Sequence, residues 1–244
     1  GWEQYVQTDQ RDPIVRERVY ASQWHPCTRK MVYDMTESAS LPPFDADSLA
    51  RMQRGRNRER DILIDLQRVG RLVEPQFDVI GGQERFELKN RKGITVISGK
   101  VDARIRFTKD RRSKGHPLEI KSWNPNIIAG VTSFDDLLQG RWTRAGAHQL
   151  LGYLLGMEEE IGILLLDRPG IPLPLEVELS RYFDRAEHFQ SQAEEATAYV
   201  RKERGAKMPD FIDDAIECKK CDFFGAVCNP PITHNADMKI ITDD

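Results

Sequence analysis

The chain lacks most of what would mark a specialised class of protein. Apolar runs such as Ile161–Leu166 have the length of a buried strand, and nothing approaches the roughly 18 residues that span a bilayer, so no membrane segment is expected. Neither sign of charge dominates: 36 Lys+Arg stand against 39 Asp+Glu, giving a net charge of −3 and a pI near 6.0. A global basic field for nucleic acid or anionic lipid is therefore excluded, and any phosphate-binding surface must be local. Four cysteines are too few for a secreted disulfide scaffold. There is no internal repeat and no low-complexity tract. The opening Gly1-Trp2-Glu3-Gln4 carries neither a Met nor the basic-then-apolar layout of a secretory signal, so a cytoplasmic location is the expectation. What remains is a chain of 244 residues, 39% hydrophobic and 31% charged, that can bury roughly 70% of its unfolded surface without help from disulfides or metal.

The order of elements predicts an α/β domain. A helical opening over about 12–35 contains Cys27, and Pro42-Pro43 breaks it. Asp47 starts a long helix with apolar Leu49, Met52, Ile62, Leu63, Leu66 and Val69, ended by Gly70, which also carries Arg51, Arg54, Arg56, Arg58 and Arg60. Runs at 72–80, 83–88, 94–107 and 117–123 read as a meander of strands, with Gly81-Gly82 and a polar loop over 109–116 between them. A helix over 134–157, broken at Gly140, precedes strands at 161–166 and 173–182 and a polar helix over 184–204. Such an order suits a mixed sheet covered by helices.

The first candidate chemistry is Asp102, in Gly99-Lys100-Val101-Asp102, with Glu119-Ile120-Lys121 on the next strand. Residues two apart on a strand share a face, so Glu119 and Lys121 project together, and a hairpin partner would bring Asp102 beside them. Two carboxylates and an ammonium are a tool for phosphodiester hydrolysis: hard oxygens hold Mg²⁺ or Mn²⁺, the Ile120 carbonyl offers one more, and the ammonium orients the attacking water. Glu87-Leu88-Lys89 and Glu217-Cys218-Lys219 share the spacing, and alternating charge on a strand is commonly a solvated face, so context must decide. Two features supply it. Gly55-Arg56-Asn57-Arg58-Glu59 adds a carboxylate on the arginine-rich helix, and Gln149-Leu150-Leu151-Gly152-Tyr153 places an amide and a phenol at i and i+4 on one side of a later helix.

The cysteines are unevenly placed. Cys218-x₂-Cys221-x₆-Cys228 lies near the C-terminal end, while Cys27 sits far upstream in His25-Pro26-Cys27-Thr28-Arg29. Four thiolates suit tetrahedral Zn²⁺ or an iron–sulfur cluster by ligand type alone. A structural zinc site usually uses two compact pairs, whereas one distant ligand plus a trio joins the ends of a chain.

Taken in order, Gly55-x₃-Glu59, Gly99-x₂-Asp102, Glu119-x-Lys121 and Gln149-x₃-Tyr153 resemble the RecB-like branch of the PD-(D/E)XK nuclease superfamily. The glycine-led Asp102 and the late Gln/Tyr pair select Glu119-x-Lys121 over the other triplets. In that family the first motif more often ends in His, so Glu59 is a departure, although a carboxylate also ligates Mg²⁺ or Mn²⁺. The four-cysteine layout and the Cys27-Thr28-Arg29 context resemble the iron–sulfur members, including the CRISPR-associated exonucleases and the AddB nuclease domain; the x₆ gap is slightly longer than the common spacing. The resemblance implies a restriction-endonuclease-like core of mixed sheet and flanking helices over 47–204. It also implies a lobe, 1–46 with 205–244, stapled by a [4Fe–4S] cluster on Cys27, Cys218, Cys221 and Cys228. It further implies metal binding by Glu59, Asp102, Glu119 and the Ile120 carbonyl, catalysis by Asp102, Glu119 and Lys121, and substrate contact by Gln149 and Tyr153.

The expected partner is DNA, as single strands or ends, with 5′→3′ digestion implied by the CRISPR-associated relatives and a role in repair, recombination, phage replication or CRISPR adaptation, alone or with protein partners. Arg51, Arg54, Arg56, Arg58 and Arg60 on the long helix, Arg56 and Arg58 foremost, and Lys109, Arg111, Arg112 and Lys114 in the loop, are candidate phosphate contacts. Trp123, Trp142 and Tyr153 are candidate stacking platforms for unpaired bases. Two other readings stay open: a non-catalytic iron–sulfur subunit with a nuclease-like fold that binds DNA or joins a complex, and a zinc-stabilised interaction domain.

Overall fold

Alternation of buried side chains dictates how this chain layers. The computed structural model describes residues 15–72, 77–80, 84–107 and 114–230. In chain order the elements are β1 (Val19–Tyr20), α1 (Thr28–Thr36), α2 (Ala46–Leu72), β2 (Phe77–Ile80), β3 (Arg85–Lys89), β4 (Thr95–Lys100), β5 (Ala103–Phe107) and β6 (His116–Lys121). There follow α3 (Pro125–Ile128), α4 (Phe134–Gln139), α5 (Arg144–Met157), β7 (Ile161–Leu166), β8 (Leu173–Glu178), α6 (Phe183–Val200) and α7 (Ala215–Lys219).

The strands form two sheets. One has the order β1-β4-β3, the other β2-β5-β6-β7-β8. Within the larger sheet β6 and β7 run parallel, joined by the crossover through α3, α4 and α5, and the other pairs are antiparallel. Both faces of its centre are covered. Ala103, Ile105, Leu118, Ile120, Ile163 and Leu165 form one apolar face and pack with Ile62, Leu63 and Leu66 of α2. Leu164, Leu166, Leu175 and Val177 form the opposite face and join the main core with α5 and α6. Helix α5 is buried from Gly146 to Leu154, as a helix apolar on nearly all sides must be. Among the described residues no helix is long and apolar enough to cross a membrane.

Several elements depart from the sequence-based expectation. Among its described residues the opening is α-helical only at Thr28–Thr36, with a 3₁₀ turn at Ala21–Gln23, because Val19 and Tyr20 pair in parallel with Ile97 and Ser98. The single strand expected over 94–107 is two, belonging to different sheets, with Val101 and Asp102 at the crossing. A simple meander is also replaced, since β3 pairs with β4 while β2 pairs with β5. The break at Gly140 is as expected, and the strand at 173–182 ends at Glu178 in a 3₁₀ turn. Gly81-Gly82, Lys109, Arg111, Arg112 and both extreme ends of the cysteine lobe lie outside the described residues.

Candidate active site

The site forms where the two sheets meet. Ala103 stands opposite Leu118 in the β5–β6 ladder, so Asp102, one residue earlier, falls beside Glu119 and Ile120. Its Oδ2 accepts the Ile120 N–H at 2.8 Å, which ties the sheet crossing to β6. Leu118 and Ile120 turn toward α2, which forces Glu119 and Lys121 onto the face that meets α5. There the Lys121 ammonium lies 2.6 Å from Glu119 Oε1 and donates to Gln149 Oε1 at 2.8 Å. Gln149 Nε2 donates in turn to the Tyr153 hydroxyl.

Glu119 is 2% exposed, and its other oxygen, Oε2, is buried with no hydrogen-bond partner in good geometry among the described residues, although the Tyr153 hydroxyl lies near enough to this carboxylate to be raised by it. An ionised carboxylate oxygen in that state is costly unless something compensates it. The neighbours add to the strain. Burial, then the Glu119 charge and to a lesser extent Glu59, push the Asp102 carboxyl up to about 8 against the pull of the Ile120 N–H and Lys121. Glu59 is also raised, by burial and by Glu119, with Lys121 and a hydrogen bond to Asp102 opposing. Three carboxylates, from α2, the β4–β5 crossing and β6, thus crowd around the Lys121 ammonium, and Lys100 also draws Glu59 down. The donor set, all hard oxygens, one of them with no well-placed donor among the described residues, fits Mg²⁺ or Mn²⁺ in kind. Among the described residues, no three His, Cys, Asp or Glu side chains stand close enough to hold an ion together as they are arranged, and Lys121 occupies one oxygen of Glu119.

Gly99 of the motif serves packing. A methyl group on it would stand 2.6 Å from Phe86 Cε1 and 3.0 Å from Tyr153 Cε1, so only glycine lets Phe86 and Tyr153 meet edge to face behind Gln149. Tyr153 is itself 2% exposed, and burial followed by the Glu119 charge drives its hydroxyl far above the ordinary tyrosine range. It supports Gln149 at the inner wall of a cleft of about 450 Å³. The cleft is also lined by Arg18, Arg85 and Lys100, cations that the motif reading missed. The Lys100 position was within reach, since it pairs across the ladder with Arg85 and precedes Asp102 by two.

The arginines on α2 are placed differently. Arg58 donates twice to Asp167, at 2.7 and 2.8 Å, and Asp167 also accepts from Ser122. Arg56 donates to Gln53 on its own helix. Neither is brought into the carboxylate cluster: Arg58 is a latch between α2 and the end of β7, and Arg56 points along the helix surface. Trp142 is 59% exposed, with Arg141 and Lys220 over its ring.

Folding brings Cys27, just ahead of α1, to the C-terminal trio. None of the four cysteines is in a disulfide, and all four line one small cavity with Tyr33, Phe211 and Phe224. Burial pushes the Cys218 thiol up to about 11, with Cys27, Cys228 and Cys221 each adding to the rise. Cys221 and Cys228 are raised as well, chiefly by burial. Four thiols that feel one another are a thiophilic donor set in kind, although among the described residues no three of them stand close enough to hold an ion as they are arranged. Next to Cys218, the Glu217 carboxylate receives Arg144 and Arg141, which anchors the start of α5 to this lobe.

No protein-family model matches the chain, and no curated protein does. Among solved structures the chain is similar to SSO0001, at 18% identity over 87% of this chain and 85% of that one, with a TM-score of 0.47. It is also similar to an alkaline exonuclease (LHK-Exo) from Laribacter hongkongensis, at 11% identity over 82% of this chain and 96% of that one, with a TM-score of 0.43. Likenesses this distant carry no inference about activity.

Proposed function

We propose that this chain is a divalent-metal-dependent deoxyribonuclease, an exonuclease acting on single strands or DNA ends. The reading is carried by Glu119: a carboxylate buried to 2% exposure, one oxygen on Lys121 and the other with no well-placed hydrogen-bond donor among the described residues, beside Asp102 and Glu59. Burying such a carboxylate costs stability, and a hydrolytic centre for phosphodiesters needs one. Glu59, Asp102, Glu119 and the Ile120 carbonyl are the proposed holders of Mg²⁺ or Mn²⁺. The ion would supply Lewis-acid polarisation of the phosphate.

The chain's own residues do the rest. Glu119 and Gln149 hold the Lys121 ammonium from two sides, so it keeps a fixed direction and donates either to the attacking water or to the charge that develops on the phosphate. Tyr153 fixes Gln149 and Phe86 fixes Tyr153. Arg18, Arg85 and Lys100 are the proposed phosphate contacts of the adjoining cleft, which Glu87 and Asp102 also line and where Arg18 pairs with Glu87. A [4Fe–4S] cluster on Cys27, Cys218, Cys221 and Cys228 is part of the proposal, with Zn²⁺ the alternative by ligand type. This assignment, like 5′→3′ polarity and DNA as the substrate, is supported by the motif resemblance.

The test is hydrolysis of an end-labelled single-stranded oligonucleotide with Mn²⁺ or Mg²⁺ by anaerobically purified protein, wild type against Lys121→Ala. Cleavage that needs the metal and is lost in the variant is the expected result. A folded, metal-loaded wild type that cleaves neither single strands nor duplex ends would sink the hydrolase and favour the non-catalytic subunit.

A further inference from the structure

A second groove, about 870 Å³ in volume, shares no lining residue with the Arg18 cleft. Arg51, Arg54 and Arg58 line it as one stripe of α2, spaced by three and four residues, and Arg168 faces them from the turn after β7. Asp61 and Asp167 also lie in it, the latter bound to Arg58, so the lining remains net positive. Gly55 sits within the stripe, where a side chain would meet nothing within 4 Å, and leaves the floor open.

Trp123 ends this groove at the chemistry. It is half-buried, two residues past Lys121, and packs against the core from that position. A methyl group on Gly146 would stand 2.7 Å from Trp123 Cζ2 and 3.0 Å from Lys121 Cε, so the indole and the lysine stem lie side by side over one bare stretch of α5. An aromatic face next to the reactive ammonium, continued by a row of guanidinium groups, is the combination that holds unpaired nucleic acid: bases stack on the ring and phosphates follow the cations.

We propose that this groove binds an unpaired nucleic-acid strand, with one base stacked on Trp123 beside the phosphate presented to Lys121 and the next phosphates met by Arg51, Arg54 and Arg168. The assignment rests on the hydrolase reading of the neighbouring carboxylates and adds to it a preference for single strands. A duplex keeps its bases stacked inside and has none to offer Trp123.

Binding is measured without hydrolysis, in EDTA, from the fluorescence anisotropy of a labelled oligothymidylate and of a labelled blunt duplex. Trp123→Ala should weaken single-strand binding between about 5- and 100-fold and leave duplex binding nearly unchanged. The double variant Arg51→Ala/Arg54→Ala should lower the slope of log affinity against log salt by about 0.7 for each phosphate no longer neutralised. Arg60→Ala, on the same helix outside the groove, should match the wild type. Trp123→Phe, which keeps an aromatic face, should retain most of the affinity, and the urea midpoint of each variant shows that it is folded. A folded Trp123→Ala protein that binds single strands like the wild type, or is weakened equally toward duplex, overturns the proposal. The hydrolase reading fails separately: a wild type with Trp123-dependent binding that never cleaves in Mn²⁺ keeps the groove and loses the chemistry.

Discussion

Replacing Asp102 by Asn should make the metal-free protein more stable, by an amount set by pH. An aspartate whose carboxyl titrates higher in the folded chain than in the unfolded one takes up a proton on folding. Its burden is absent below about pH 4, where both states are protonated, grows from pH 4 to 8, and is constant above that. The rise from 3.8 to about 8 sets a ceiling of roughly 6 kcal/mol at about 1.4 kcal/mol per pH unit. Relaxation and water entry reduce it, and we expect Asp102→Asn to exceed the wild type by about 2–3 kcal/mol at pH 8 and to equal it at pH 4. The Asn carbonyl can still accept the Ile120 N–H, so the sheet crossing is kept. The assay is urea unfolding in EDTA at pH 4, 6 and 8, followed by the same titrations in Mn²⁺. Saturating Mn²⁺ should raise the wild type by about 3 kcal/mol at a hundredfold excess over its dissociation constant and leave the variant nearly unmoved. A variant no more stable than wild type at pH 8, or a difference that ignores pH, would refute the picture of crowded carboxylates awaiting a cation.

Other parts of the site make their own demands. Gly99→Ala should cost about 1–3 kcal/mol in thermal unfolding and slow cleavage, because its methyl displaces Phe86 and Tyr153 and with them Gln149. Glu217→Gln should cost about 1–3 kcal/mol in urea unfolding, since Arg141 and Arg144 are partly exposed and water makes up part of what the carboxylate supplied. His25 contributes little charge to that cluster at pH 7, because burial holds its pKa down to about 3. Cys27→Ser should lower both the metal content of anaerobically purified protein and its unfolding midpoint, with iron against zinc read by elemental analysis; unchanged metal content would exclude Cys27 as a ligand.

Much of this site could be read in one dimension because its residues sit on regular elements. Period two on β6 put Glu119 and Lys121 on one face, and i, i+4 spacing on α5 put Gln149 and Tyr153 on one side; the Lys121–Gln149–Tyr153 chain of hydrogen bonds follows from those periods once β6 and α5 pack together. The α2 arginines show the opposite. Sequence counted five as one basic run, but a helix distributes neighbours around its axis, so Arg51, Arg54 and Arg58 share the groove while Arg56 bonds to Gln53. Arg58, selected for phosphate contact, is held by Asp167, a residue 109 positions away that no local pattern connects to it.

The sequence by itself determined the elements that repeat with a local period and the identity of the donors: the glutamate and lysine flanking Ile120, the glycine three before Asp102, the Gln/Tyr pair and the cysteine trio. Those are properties of neighbouring residues, fixed by backbone geometry within a strand or a helical turn. Only tertiary structure decided that 94–107 divides between two sheets, that Glu119 is buried with one oxygen lacking a well-placed donor among the described residues, that Cys27 reaches the trio, and that Trp123 lies beside Lys121. Each of these depends on which elements pack together, and burial, charge crowding and long-range pairing exist only after the chain has closed on itself.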